Sequence, residues 1–427
     1  SLDRLVATIT PTPEPWPSSV RLALVDLLLA GHRAISVIEA LDQLGLWTRV
    51  LPEWEAVRSK PQRNAYHRFT VDRHLMETAA NAAELVARTD RSDLLVVGAL
   101  LHDIGKGYPG DHTAVGIDLL DTIAARMGFP AADVLVLQAM VRHHLLLPDA
   151  ATRRDLDDPA TIEHVAEAVG DRRTLGLLAA LTEADSLATG PAAWGAWKAD
   201  LVRDLVRRTA HVLGGGTADE VRDDFPTEEH ECLLRAGAQV VRGDGDRLTV
   251  VALDRRGLFS CVTGVMALHG LAVLDAAVTS SDGVALEVLR VASSFGPTSS
   301  WEKVVPDVER VLEGVLDLDA RLAERARVYG QRPKVGAVAE PPRVVVDNGA
   351  SREATVVEVH APDSIGVLYR ITRALAELDL DIVSAKVQTL GDRVVDAFYV
   401  RDATGGKLDE PMRIVEIERA LLHELAT

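Results

Sequence analysis

Of the thirteen histidines in this 427-residue chain, six (His67, His74, His102, His112, His143 and His144) fall between positions 67 and 144. Even scatter would put roughly two or three there. Two of the crowd flank a carboxylate-bearing run, Leu100-Leu101-His102-Asp103-Ile104-Gly105-Lys106-Gly107, and Asp185 lies further on. Imidazole nitrogens together with carboxylate oxygens suit a first-row divalent ion such as Mn, Fe, Co or Zn, with Mg also open. A lone His-Asp dipeptide carries little information. The set and its spacing imply a metal site.

The elements that must present these groups are helical. Leu94–Leu101 reads as a buried helix running into His102-Asp103, with Gly105 and Gly107 ending it. Adjacent helical residues point about 100° apart, so both reach one ion most easily near a helix end. Asp185 falls inside a second apolar helix, Thr174–Asp185, where a carboxylate needs a partner. His74 sits near the start of a third helix beginning around Val71-Asp72. The site is therefore expected between helices, held by their packing. Lys106 has two readings: a compact cation with three donors that offsets negative charge on a bound substrate, or a helix C-terminal cation complementing the dipole. His112 or His143 is the candidate general acid, and the sequence leaves ligand and acid roles open.

This constellation resembles the HD phosphohydrolase superfamily, all-helical metal-dependent phosphomonoesterases and phosphodiesterases. His74, His102, Asp103 and Asp185 match its four-ligand pattern. Lys106, His112, His143 and His144 resemble the extra positions of its two-metal members, which implies that Asp103 bridges two ions. The resemblance implies Asp103, Lys106 and His112 as catalytic groups, with metal ligands His74, His102, Asp103, His112, His143, His144 and Asp185.

Composition bounds the rest. The net charge is −18, from 64 acidic and 46 basic residues with no block of Lys or Arg, which disfavours nucleic acid as a partner. Cys232 and Cys261 are too few for a disulfide framework, fit a reducing compartment and read as buried small apolar residues. Apolar runs such as Leu22–Ala30 are too short to span a bilayer, so no membrane partner and a cytoplasmic location are expected. Residues 1–65 read as a Pro-rich helical lead-in, 66–213 as the helical metal domain closed by Gly214-Gly215-Gly216, and 214–246 as a polar, acidic linker.

The second half contains an internal repeat. Asp254-Arg255-Arg256-Gly257-Leu258 and Asp363-Ser364-Ile365-Gly366-Val367 are 109 positions apart, and the same offset pairs Ala276 with Ala385 and Val291 with Val400. A constant offset over so long a stretch implies duplicated units. Each reads as a ferredoxin-like α+β (βαββαβ) domain, 247–346 and 347–427. The second ends soon after its last helix, leaving a strand short that Arg343–Asp347 could supply to either unit. The units resemble ACT domains, regulatory modules that bind amino acids. Asp254, Arg255, Gly257 and Leu258 match the family's turn well; Asp363, Gly366 and Val367 match it in part, with Ser364 in place of Arg. A glycine there lets backbone N–H groups approach an effector carboxylate at a helix N-terminus.

A helical HD domain followed by two ACT units resembles the C-terminal part of the bifunctional uridylyltransferase/uridylyl-removing family. Its marks here are Leu51-Pro52-Glu53, Tyr66–His74, the His-Asp-Ile-Gly-Lys-Gly run, Gly110-Asp111-His112 and Ala184–Pro191 with Trp194, Trp197 and Lys198. The resemblance implies removal of a uridylyl or adenylyl group from a tyrosine of the PII nitrogen-signalling protein, with glutamine sensed by the ACT units. The family's nucleotidyltransferase segment is not found, and Ser1 stands where an initiator Met would, so the sequence reads as an excised piece. Two other readings compete: a guanosine-tetraphosphate hydrolase, and a non-catalytic amino-acid-sensing module.

Overall fold

The computed structural model describes residues 12–62, 68–190, 193–293, 301–329, 341–390 and 393–426. His67, Tyr66 and Pro191 from the sequence motifs lie outside them. The chain forms two units. One holds the described residues up to Ala151 with Ile162–Val221, and the other holds Thr152–Thr161 with those from Arg222 onward.

The first unit is all-helical. In chain order its helices are α1 (Ser18–Leu29), α2 (His32–Gln43), α3 (Trp47–Val50), α4 (Val71–Glu84), α5 (Ser92–Leu101), α6 (His112–Arg126), α7 (Ala131–Arg142), α8 (Leu146–Arg153), α9 (Pro159–Val169), α10 (Arg172–Thr189) and α11 (Ala196–Val212). Helix α5 is apolar on every side and lies at the centre, with Leu94 to Val97 and Ala99 to Leu101 fully buried. Each such Leu or Val contributes about 1.5–3 kcal/mol relative to exposure. The lead-in belongs to this same core, since Trp16, Leu28, Ile38, Trp47 and Trp54 join the α4, α5 and α10 side chains in one cluster. Sharp starts come from capping carboxylates. Asp111 accepts from Ala114 N at the head of α6, and Asp171 accepts from Arg173 N and Thr174 N at the head of α10.

The second unit is an eight-stranded antiparallel sheet in the order β1-β2-β4-β3-β7-β8-β6-β5, with helices on it. Its elements are α12 (Glu228–Ala236), β1 (Val240–Asp244), β2 (Arg247–Leu253), α13 (Leu258–His269), β3 (Leu271–Ser281), β4 (Val284–Ser293), α14 (Trp301–Leu312), α15 (Leu318–Tyr329), β5 (Arg343–Asp347), β6 (Thr355–Pro362), α16 (Val367–Glu377), β7 (Leu380–Leu390), β8 (Arg393–Asp402) and α17 (Pro411–Ala426). The two copies meet at β3 and β7, where Ala276 pairs with its repeat partner Ala385. Thr263 and Thr372, also 109 apart, share a hydrogen bond at 3.2 Å between α13 and α16. The duplication therefore builds a local two-fold relation, with like residues meeting on its axis.

Each copy takes its fourth strand from the preceding chain, giving ββαββα. β1 pairs with β2, and β5 (Arg343–Asp347) pairs with β6 of the second copy. The stretch read as a linker thus contains α12, started by a Thr227–His230 capping box, and the edge strand β1. Thr152–Thr161 docks against the second copy. Asp155 N donates to the Tyr399 hydroxyl at 2.7 Å, Lys386 Nζ lies 3.6 Å from Asp155 Oδ1, and Arg154 Nη1 donates to Glu358 at 2.9 Å. The cysteines differ in part from expectation: Cys232 is exposed on α12, and Cys261 is half-buried against the sheet core, both as free thiols.

Candidate metal centre

Helix α5 delivers His102 at its end and then lets the backbone turn, so that Asp103 (φ −115°, ψ 16°) departs from helical geometry. His102 Nδ1 donates to Ala99 O at 2.8 Å, which fixes the tautomer and leaves Nε2 bare. His144, just past α7, does the same through Val141 O at 2.7 Å. Gly105 allows the next step. A Cβ there would overlap the His112 carbonyl and come within 2.7 Å of Gly116 N, so only glycine lets the 3-10 turn Ile104–Gly107 lie on the first turn of α6. That contact brings His112 to the site.

Asp103 is the hub. Its Oδ2 lies 3.4 Å from His102 Nε2, 3.9 Å from His74 Nε2 and 2.5 Å from Lys106 Nζ. Its Oδ1 lies 3.7 Å from both His112 Nε2 and His144 Nε2. Asp185, from α10, reaches the first side: Oδ1 is 2.9 Å from His74 Nε2 and 3.6 Å from His102 Nε2. Two triads result, His74/His102/Asp103 and Asp103/His112/His144, each with ligand atoms within 4.8 Å of one another. His143, expected with them, lies in neither triad and is flanked by Arg142 and His164. The backbone rotation that aims His144 inward carries its neighbour away.

Charge in the cluster is unevenly held. Burial disfavours charge on His102, yet the carboxylates of Asp103 and Asp185 overcome it and raise its pKa to about 10. Burial likewise opposes ionisation of Asp103 and Asp185. Their neighbouring histidines, and Lys106 beside Asp103, keep both well below the usual carboxylate range. A divalent cation competes directly with that proton on His102. The residues fit such an ion: His102 Nε2 and Asp103 Oδ1 are buried without a hydrogen-bond partner among the described residues, and the donor set is mixed nitrogen and carboxylate oxygen.

Sequence reading missed the supports. Gln62 Oε1 accepts from Lys106 Nζ at 3.3 Å, Lys60 Nζ donates to Gly107 O at 2.9 Å, and Asn81 Nδ2 donates to Ala184 O at 3.0 Å, which ties α4 to α10 beside Asp185. Only Asn81 left a signal, as an amide on the inner side of an otherwise apolar stretch.

In the second unit, Asp254, Arg255, Gly257 and Leu258 line a cavity of about 560 Å³ that opens where β3 and β7 diverge beyond their three paired residues. Asp363, Gly366 and Val367 do not line it. Gly257 (φ 76°) and Gly366 (φ 79°) adopt the same left-handed start for α13 and α16. Beside Gly366, however, stands Leu322 of α15, whose Cδ1 would lie 3.6 Å from an added Cβ. The connector helix covers the second copy's turn.

A helical metal-type cluster on an HD-like helix end, joined to a duplicated α+β sheet, defines a protein with an HD domain and ACT modules. Family descriptions agree: "HD domain" matches residues 71–189 and "ACR family N-terminal ACT domain" matches 350–426. The chain is 45% identical to the bifunctional uridylyltransferase/uridylyl-removing enzyme of Streptomyces coelicolor, over 95% of this chain and 54% of that one. It is 42% identical to the same-named enzyme of Mycobacterium tuberculosis (94% and 51%) and 35% to that of Gluconobacter oxydans (91% and 48%). The chain belongs to this family, as its C-terminal HD and ACT part, and spans about half the length of these relatives. The HD domain and the relatives' uridylyl-removing activity point to a phosphohydrolase. No helix among the described residues is long and apolar enough to cross a membrane.

Proposed function

We propose that the chain hydrolyses the phosphodiester joining a uridylyl or adenylyl group to a tyrosine of PII, in the cytoplasm, under control of glutamine held by the first ACT copy. The observation that carries this reading is the two-sided setting of Asp103, with histidines facing each of its oxygens. In it, His74, His102, Asp103 and Asp185 would hold a divalent ion, and Asp103 with His144 would help to hold a second, His112 being kept for proton transfer. Such ions supply Lewis acidity, bringing the pKa of water towards neutrality and offsetting phosphoryl charge.

The chain's own groups do the rest. The Nδ1 bonds of His102 and His144 keep Nε2 available and the rings fixed. Lys106, beside the shared carboxylate, neutralises charge that builds on the phosphoryl oxygens. His112 is the most exposed of the clustered histidines, at 32%, and from there delivers a proton to the departing tyrosine oxygen. A phenol of pKa about 10 is a better leaving group than an aliphatic alcohol and asks less of that acid. The effector reading draws support from the cavity at the Asp254 turn and from the covering of its counterpart by Leu322.

The test presents uridylyl-PII, adenylyl-PII and guanosine tetraphosphate to the metal-loaded protein and identifies the product. The expected result is a nucleoside monophosphate from one or both PII forms. Release of pyrophosphate from guanosine tetraphosphate alone would overturn the reading.

A further inference from the structure

The cavity beside the first ACT turn contains a carboxyl that nothing so far has used. Glu287, on β4, is 1% exposed and lines the cavity, and its Oε2 has no hydrogen-bond partner among the described residues. Its strand neighbours are Val250 on β2 and Val278 on β3, neither of which offers a polar side chain. An apolar residue there would complete the core at no polar cost. The same position in the second copy, 109 residues on, is Asp396, also buried and with Oδ2 unpartnered among the described residues. Asp396 does not line the cavity. Among the described residues, Glu287 of the first copy thus combines an unsatisfied buried carboxyl with this cavity, and Asp396 does not.

We propose that Glu287 is the specificity-determining residue of this cavity: its carboxylate receives the α-ammonium of a bound amino acid, whose own carboxylate lies at the Gly257 turn beside Arg255. This rests on the amino-acid-effector reading given above and adds the group that selects for an amine. Opposite ends of a zwitterion meet opposite chemistry. The turn offers backbone N–H groups at the start of α13 and a guanidinium, while the strand side offers acid.

The charge that bears on Glu287 is that of Asp254 in the turn, with the Cys261 thiol on α13 beside it; the cavity wall also carries Arg255 and Arg256 from the turn, Asp155, Asp157 and Asp158, and Asp379 and Asp381 at β7. Burial first, and then the charge of Asp254, push the Glu287 carboxyl up to about 8. Near pH 7 the empty site thus holds the proton. Binding an ammonium favours the ionised form, so the carboxyl loses its proton to solvent as the ammonium–carboxylate contact forms: the occupied site becomes one unit more negative and the buffer takes up the proton.

The experiment is calorimetry of the full chain with L-glutamine at pH 7, in buffers of low and high ionisation enthalpy. For the native chain the apparent enthalpies should differ by the heat of most of one released proton. In Glu287→Gln that difference should vanish and affinity should fall about tenfold or more, while Asp396→Asn should leave both unchanged. Glutaramic acid, which lacks the α-amine, should bind native and Glu287→Gln chains equally. Thermal melts confirm that each variant is folded. Glutamine binding to Glu287→Gln with native affinity and native proton release would overturn this inference and leave the effector reading intact. Neither heat nor a shift in melting with glutamine on the native chain would overturn both.

Discussion

Asp103 and Asp185 in the helical unit, and Glu287 and Asp396 in the sheet, are four carboxyls with little water around them and opposite charge states. The first two are held ionised by His74, His102, His144 and Lys106. Neither of the second two has a cation paired with it among the described residues; burial raises Glu287 and Asp396 to about 8, helped by Asp254 and Asp363. Burial alone does not decide charge; the partners supplied by neighbouring elements do. One site is charged in advance for a cation, and the other stores a proton.

The largest expected effect on this contrast is at its hub. Asp103→Asn removes the shared carboxylate, so hydrolysis of nucleotidyl-PII should fall by at least about a thousandfold and bound metal, read by elemental analysis, should drop. Persistence of both would erase the distinction between the two pairs. Lys106→Met should lower kcat by about ten- to a hundredfold with metal content unchanged, if its ammonium serves the phosphoryl oxygens. An unchanged kcat returns Lys106 to a helix-terminal role. Gly105→Ala forces the 3-10 turn off α6 and should cost about 3 kcal/mol in denaturant melts, with loss of activity through His112.

The smallest effect is the sharpest on sign. A carboxyl whose pKa rises from 3.8 unfolded to about 8 folded binds more protons in the native state, so its contribution to stability falls as pH rises between those values. Asp396→Asn removes this penalty. It should stabilise the chain by about 1–3 kcal/mol at pH 7.5, and much less at pH 4, as read by urea melts. Destabilisation at pH 7.5 would mean that Asp396 is ionised and partnered after all.

Much of this was written in residue order. The run into His102-Asp103, the helix carrying Asp185 and the 109-residue repeat rest on periodicity and type, which local sequence carries directly. The choice between His143 and His144 does not. It depends on where α7 ends and on the Val141 carbonyl that captures one ring, a backbone event without a side-chain signature. Edge strand β1 was hidden in an acidic stretch because edge strands carry charge by necessity. Glu287 was legible in principle, as an acid on the inward side of β4 between Ala285 and Leu289, where alternation calls for an apolar residue. The covering of Gly366 by Leu322 was not, since it depends on the path of a connector across the second copy.

The most direct test of the central claim follows nucleotide release from uridylyl-PII, and from adenylyl-PII in parallel, by the native chain before chelation, after chelation and after return of a divalent ion, with Asp103→Asn alongside. The account predicts release that stops on chelation, resumes with the ion in the native chain and does not resume in the variant. Release that continues after chelation, or that Asp103→Asn recovers in full, would contradict it.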